Sequence, residues 1–333
     1  MNRIFFLSKV VFRVQWILIL TGWIAVSGPL TFGQSSLSIV IDENAVRVLE
    51  GKAGVMRYRY GDAPYKPYMQ ALCTPGGVNV LRDAPHDHLH HHALMYAIKV
   101  DGVNFWEEHQ APGRQRHVRF VDPKIVKDGD RSKAVFTEQV EWEDPKTKKV
   151  LLLEERTMAV MREKKMGATV LNWQVKFSLP KAKGSATLTG SHYHGLGMRF
   201  LESMDKGGKF FTTEDKKGET VRGTEQLTRS GWCAYTAKAN GKPVTVAMFD
   251  HPQNVRHPAW WFTMTKPFAY LSATLNMHRE PLPVVSGKPL ILNYGVVLWD
   301  GAVTKERIQK MYEWWGKKSN PQALRTHPAG KKE

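Results

Sequence analysis

In Leu171-Asn172-Trp173-Gln174-Val175-Lys176-Phe177 every second residue is apolar. A strand with that pattern puts Leu171, Trp173, Val175 and Phe177 on one buried face. The same period recurs at 55–60, 94–100, 134–142, 150–160, 244–249, 270–275 and 290–299. Turn signals separate these runs, among them Asp101-Gly102, Asp144-Pro145, Lys206-Gly207-Gly208 and Asn240-Gly241. Many short strands at this spacing predict an all-β chain folded as an antiparallel β-sandwich. One helix is expected, over Lys305–Trp315. Thr304 can cap it, Glu306 suits its positive end, and Ile308, Met311, Tyr312 and Trp315 form an apolar stripe for packing on the sheet. No repeat or linker divides the chain, so residues 35–316 are expected to form one domain.

The two ends read differently. Met1 to Gln34 holds Arg3, Lys9 and Arg13, no acidic residue, an apolar run from Trp16 to Val26, and then Ser27, Gly28 and Gly33. A basic start, an apolar middle and a small-residue exit describe a secretory signal peptide, which predicts a periplasmic or secreted protein starting near Gln34 or Ser35. The run falls short of the roughly 20 apolar residues that span a bilayer. No later stretch is longer, so no membrane span is expected after cleavage. Residues 317–333 read as a basic, disordered tail.

Charge narrows the partners. The net charge is +17, from 48 Lys plus Arg against 31 Asp plus Glu. The lysines are dispersed over turns and the tail with no nucleic-acid motif beside them, so no nucleic-acid partner is expected. The excess can still attract acidic glycans at long range. The two cysteines, Cys73 and Cys233, permit one disulfide in an oxidising compartment, and a buried free thiol at Cys233 fits equally well.

Histidine placement is the informative chemical feature. Five of the 13 histidines lie between Pro85 and Leu94, at His86, His88, His90, His91 and His92. Folding rarely calls for such density, because each buried imidazole has two ring nitrogens to satisfy. Imidazole is a common metal ligand and an acid–base group near neutral pH. On a strand His90 and His92 would share a face; in a loop the rings can converge. A second cluster, Ser191-His192-Tyr193-His194-Gly195, spaces His192 and His194 along one side of a strand, with glycines that allow close approach. The third, Asp250-His251-Pro252 to Arg256-His257-Pro258, follows the strand at 244–249, a favoured place for function. Each cluster also has a plain structural reading as a polar turn. HExxH, paired CxxC, P-loop, GxGxxG and GxSxG patterns are missing, so nucleotide, nicotinamide and serine-hydrolase readings have no support.

At these clusters the chain resembles a family of exported bacterial proteins labelled methane oxygenase PmoA-like. The likeness rests on Arg82-Asp83, Asp87-His88-Leu89-His90-His91, Gly102-Val103-Asn104-Phe105-Trp106, His194-Gly195-Leu196-Gly197-Met198-Arg199-Phe200, Phe249-Asp250-His251-Pro252, Arg256-His257-Pro258 and Trp299-Asp300-Gly301. Where the family reads His-His-Arg-Gly-Leu-Trp, this chain has His92, Ala93, Leu94 and Met95 in the last four places. The label borrows from a multi-spanning membrane subunit, whereas nothing here spans after the leader. The resemblance implies a sandwich similar to the galactose mutarotase-like group, and with it action on or binding of carbohydrate.

Three readings follow. In the first, an exported carbohydrate-active enzyme uses His90, His91, His192, His194, Asp250 and His257 for acid–base work. Arg199 and Arg256 then hold substrate, Trp106 offers a flat face and Glu107 a carboxylate. Asp87 is another candidate carboxylate, and Trp260 and Trp261 further candidate faces. In the second, the protein is a non-catalytic glycan- or metal-binding module. In the third, the family label implies copper-dependent oxidation. A divalent metal, if one is held, would take His88, His90, His192 and His194, and ligand type does not choose which metal. Convergence is the common expectation: the first histidine cluster should meet the second, and also His257 or Asp250, in one concave site.

Overall fold

The computed structural model describes residues 37–319, apart from 130, 215 and 216. The predicted leader and residues 320–333 of the predicted tail lie outside the described residues. Among the described residues two large antiparallel sheets face each other, with a small four-stranded sheet beside them. The ten-stranded sheet runs Leu37–Ile41, Ala45–Glu50, Ala53–Arg59, Tyr68–Leu72, Leu94–Ala97, Gly195–Arg199, Tyr270–Thr274, Trp260–Met264, Glu225–Arg229 and Glu219–Arg222. The eight-stranded sheet runs Lys209–Thr212, Trp232–Ala239, Lys242–Asp250, Leu290–Asp300, Ala168–Ser178, Val150–Glu163, Arg131–Glu143 and Arg114–Asp128. The expected antiparallel sandwich with one C-terminal helix is what the chain builds.

Alternation does the sorting. Leu171, Trp173, Val175 and Phe177 all enter the core between the sheets. The opposite face of the same strand is covered at one end by the helix Lys305–Lys318, whose Ile308, Met311 and Trp315 pack on Ala168, Val170, Phe249 and Val297. Thr304 caps that helix by accepting from the Arg307 amide, and the Trp315 indole donates to Asn172 Oδ1 at 3.1 Å. The helix therefore runs into the first two residues of the predicted tail. Burying its three large side chains stabilises the contact by about 1.5–3 kcal/mol each.

Two strand expectations change. Arg114–Asp128 is a strand of 15 residues that pairs with Arg131–Glu143, although its polar composition hides the alternation. Bulges between His117 and Arg119 and between Val121 and Lys124 further break its period. Conversely, His192 and Tyr193 sit in a turn, closed by the His194 amide on the Ser191 carbonyl at 3.2 Å, and the strand starts only at Gly195.

One end of the core is polar. Arg156 and Glu154 are fully buried, with Arg156 Nε donating to Glu154 at 2.7 Å, Nη1 to the Tyr58 hydroxyl at 2.9 Å and Nη2 to Gln115 at 2.8 Å. Tyr58 in turn donates to Glu138, which also meets His117 Nδ1 at 2.7 Å. A buried pair is tolerated when its donors and acceptors are met in this way. Cys73 and Cys233 are both unpaired, and Cys233 is buried in the core.

Candidate functional site

The middle of the ten-stranded sheet is where side chains gather on the face away from the core. In Gly195–Arg199 the core takes Leu196 and Met198, which leaves Gly195, Gly197 and Arg199 on the other face. Gly197 is needed there. A Cβ at this position would stand 2.2 Å from the Tyr270 hydroxyl and 2.8 Å from the Trp106 ring. Glycine lets both rings lie on the sheet.

Above this floor the chain from Ala84 to His91 forms a loop closed by the Ala84 amide on the His91 carbonyl at 3.0 Å. Its rings converge: His88 stacks on His91 with centroids 4.6 Å apart, and His90 meets His91 edge-on at 4.6 Å. Together with Trp106, Glu107, Tyr193, Glu225, Phe262, Phe268 and Tyr270 they line a cavity of about 560 Å³.

The chemistry of this cavity centres on Glu107. His90 Nε2 lies 3.3 Å from one carboxylate oxygen, and the Tyr193 hydroxyl donates to the other at 3.4 Å. His90 and Glu107 are both partly open to solvent, at 21% and 23% of their side-chain surface. Burial lowers the pKa of His90, opposed by the Glu107 charge, so the ring is neutral at pH 7. Burial followed by the same charge raises Tyr193. Glu225, also in the lining, accepts from Arg222 at 2.7 Å and meets His192 Nε2 at 3.3 Å. His192 thus reaches the site through Glu225.

Two histidines are held neutral. His194 lies flat on Trp106, with centroids 5.0 Å apart and planes 8° apart, and burial pushes its pKa down to about 3. Burial, then the charges of His90, His88 and Arg199, drives His91 far below its ordinary range. Neither Nδ1 finds a partner among the described residues.

Behind the cavity wall lies a buried chain of charge. The Lys66 ammonium, almost without exposure, contacts the Trp106 carbonyl at 3.2 Å and Glu108 at 2.5 Å. Glu108 meets His92 Nε2 at 2.9 Å, and His92 Nδ1 meets Asp83 at 3.0 Å. Tyr68 and Gln70 also donate to Asp83, at 2.7 and 2.9 Å. This chain fixes Trp106 and the residues on either side of Glu107.

The structure brings the first and second histidine clusters together but leaves the third apart. Asp250, 1% exposed, accepts from Asn254 at 2.6 Å and from the Ala259 amide at 2.8 Å, and meets His257 Nδ1 at 2.7 Å. None of these partners lines the cavity. The expected convergence of Asp250 and His257 is corrected accordingly: the aspartate organises a turn. Arg256 is likewise a loop clamp, donating to the carbonyls of Leu275, Glu280 and Pro281 at 2.8, 2.7 and 3.2 Å. Trp261 is in the core, while Trp260 is half-buried under Arg279. Arg199 is near the site but covered: it holds Asp87 at 3.1 Å, and Phe268 lies over its guanidinium. Among the described residues no three His, Cys, Asp or Glu side chains are arranged to hold a metal ion.

The model of a family of unknown function, DUF6807, matches residues 45–313. The chain belongs to DUF6807. That span takes in every side chain of the cavity. No curated protein matches the chain. Among solved structures it is similar to the α-galactosidase of Lactobacillus brevis at 6% identity and a TM-score of 0.46, over 84% of this chain and 41% of that one. An α-galactosidase of Geobacillus stearothermophilus gives 9% and 0.43, over 80% of this chain and 41% of that one. A galactose mutarotase-like protein of Clostridium acetobutylicum gives 9% and 0.41, over 80% of this chain and 99% of that one. The DUF6807 chain thus spans about two fifths of the two galactosidases. No helix among the described residues is long and apolar enough to cross a membrane.

Proposed function

We propose that this protein is an exported carbohydrate-active enzyme that carries out acid–base chemistry on a sugar in the Glu107 cavity. The observation that carries the reading is the Glu107 carboxylate, contacted by His90 on one oxygen and Tyr193 on the other, facing an aromatic-lined cavity. Tyr270, Phe262 and Phe268 suit the apolar faces of a sugar ring, and the polar groups suit its hydroxyls. Glu107 takes a proton from a sugar hydroxyl and returns it to the sugar later in the reaction, while Tyr193 and neutral His90 hold the carboxylate in place. Copper-dependent oxidation is the weaker reading, since His194 is stacked flat on Trp106 and His192 is directed at Glu225. Export rests on the leader sequence, and N-terminal sequencing of secreted protein checks it.

Saturation-transfer NMR with a panel of hexoses, hexuronates and disaccharides tests the reading. Ring protons of at least one sugar should receive saturation from the wild-type protein, and NMR should follow its conversion. If Glu107→Gln converts that sugar as well as the wild type, the acid–base role of Glu107 is lost; if the wild type binds the sugar without converting it, a binding module remains.

A further inference from the structure

We infer that the sugar bound here carries a carboxylate, anchored by Arg199 and Lys266 at the Phe268 end of the cavity. The inference rests on the reading of the cavity as a sugar site and adds the class of sugar. Arg199 is 1% exposed, yet its Nε and Nη1 have no hydrogen-bond partner among the described residues. Only Nη2 is engaged, by Asp87 at 3.1 Å. A buried guanidinium with idle N–H groups is costly, and a carboxylate oxygen brought to Nε or Nη1 accepts a charge-assisted hydrogen bond there. Asp205 also faces Arg199, but its carboxylate accepts the Ala269 amide at 2.8 Å.

Phe268 separates Arg199 from the cavity. Its ring covers the guanidinium with 3.3 Å between the guanidinium carbon and the ring centroid, and it also packs on the rings of His88, His91 and Tyr270. The ring is buried just after the exposed Lys266 and Pro267, in the connection between the strands Trp260–Met264 and Tyr270–Thr274. Thr224 tethers that connection, accepting from the Thr265 and Lys266 amides at 3.2 and 2.9 Å. Rotation of one ring there exposes the guanidinium. Lys266 lines the same end, solvent-exposed and given no carboxylate partner by any described residue. The cavity lining also carries Glu107 and the Glu225–Arg222 pair. Glu225 is neutralised by Arg222, so Lys266 and Arg199 are the cations left to meet a sugar carboxylate near Phe268.

Isothermal titration of the full chain with galacturonate and glucuronate, against galactose and glucose, tests this. The uronates should bind roughly tenfold tighter than the parent hexoses at low salt, and the margin should shrink as salt rises. Arg199→Gln should remove that margin. Lys266→Gln, on an exposed side chain that folding does not need, should reduce it severalfold. Equal affinity for hexose and uronate overturns the inference and leaves the sugar reading standing. A uronate preference that survives both substitutions overturns it too. Binding of none of these sugars, nor of any member of the hexose, hexuronate and disaccharide panel, sinks both readings.

Discussion

His90 Nε2 stands 3.3 Å from Glu107 Oε2, and both side chains are partly open to solvent in a cavity that Trp106, Tyr193, Phe262, Phe268 and Tyr270 also line. A carboxylate beside a neutral imidazole and open to the cavity can exchange protons with a bound sugar. Glu107→Gln keeps the shape and removes the base. Turnover of the sugar found by NMR should then fall by about 10²–10⁴-fold, with sugar affinity and melting temperature changed little. A melting temperature lowered by many degrees would instead assign Glu107 to the fold.

His194 supplies a prediction on the acid side. Its pKa is about 3 in the folded state against about 6.5 in the unfolded chain, because burial disfavours the charged ring. Protons therefore bind the unfolded state first, and stability declines as pH falls from about 6.5 toward 3. One such group contributes about 1.4 kcal/mol per pH unit within that window. His194→Phe keeps a ring against Trp106 and removes the proton site. Denaturant unfolding between pH 4 and 6.5 should show a slope shallower by about that amount, and an unchanged slope defeats the assignment.

Asp250 and His257 offer the opposite control. Asp250 accepts from the Asn254 side chain and the Ala259 amide and pairs with His257, all away from the cavity. Asp250→Asn is expected to destabilise by about 1–3 kcal/mol, because a buried donor then faces an amide group that cannot accept from all three partners. Sugar affinity, measured by titration on the folded variant, should stay at the wild-type value. A selective loss of binding with stability intact would falsify the structural role.

These cases show what was legible in the sequence. Leu171, Trp173, Val175 and Phe177 announced their strand because a half-buried face writes its period into the sequence, and all four are in the core. Arg114–Asp128 did not, since bulges reset its period twice. The histidine density between Pro85 and Leu94 marked the cavity, and Trp106 and Glu107 were found beside it. Glu225, Phe262, Phe268 and Tyr270 were missed because each is an ordinary residue of an ordinary strand or turn. Only the pairing of Gly195–Arg199 with Tyr270–Thr274, and of Trp260–Met264 with Glu225–Arg229, carries them to the site. The Asp250 cluster misled for a related reason: a turn held by its own aspartate and histidine has the same local composition as a site.

Gly197 is the residue through which the floor of the cavity can be tested. Its missing Cβ leaves room for Tyr270 and Trp106, both of which a methyl would meet below 3.0 Å. Overpacking of this kind costs about 1–3 kcal/mol and displaces the rings. Gly197→Ala should lower the melting temperature by several degrees and weaken sugar binding at once. Loss of neither would mean that the rings move aside freely and that the floor is not fixed.

The last prediction concerns the alkaline side, where His92 acts opposite in sign to His194. Burial alone would lower its pKa, but hydrogen bonds to Asp83 and Glu108 outweigh that and raise it above the ordinary value. Lys66 on Glu108 and Arg59, 3.7 Å from Asp83, work against the imidazolium, and Tyr68 stacks on the ring at 4.5 Å. The folded state therefore holds this proton more tightly than the unfolded chain. The stability it contributes is fully present below about pH 6.5 and is lost as pH rises through the folded pKa, by about 1.4 kcal/mol per pH unit in that window. Asp83 and Glu108, whose own pKa values are lowered by the same contacts, act only in the usual carboxylate range and do not overlap with it. His92→Gln retains a side chain able to bond one carboxylate but cannot carry charge. At pH 6 it should be less stable than the wild type, and the gap should narrow steadily as pH rises toward 9. Urea unfolding of both proteins at half-unit pH steps reads the gap directly. A gap that stays constant across that range would show that His92 supports the loop by shape alone, with no proton linking Asp83 to Glu108.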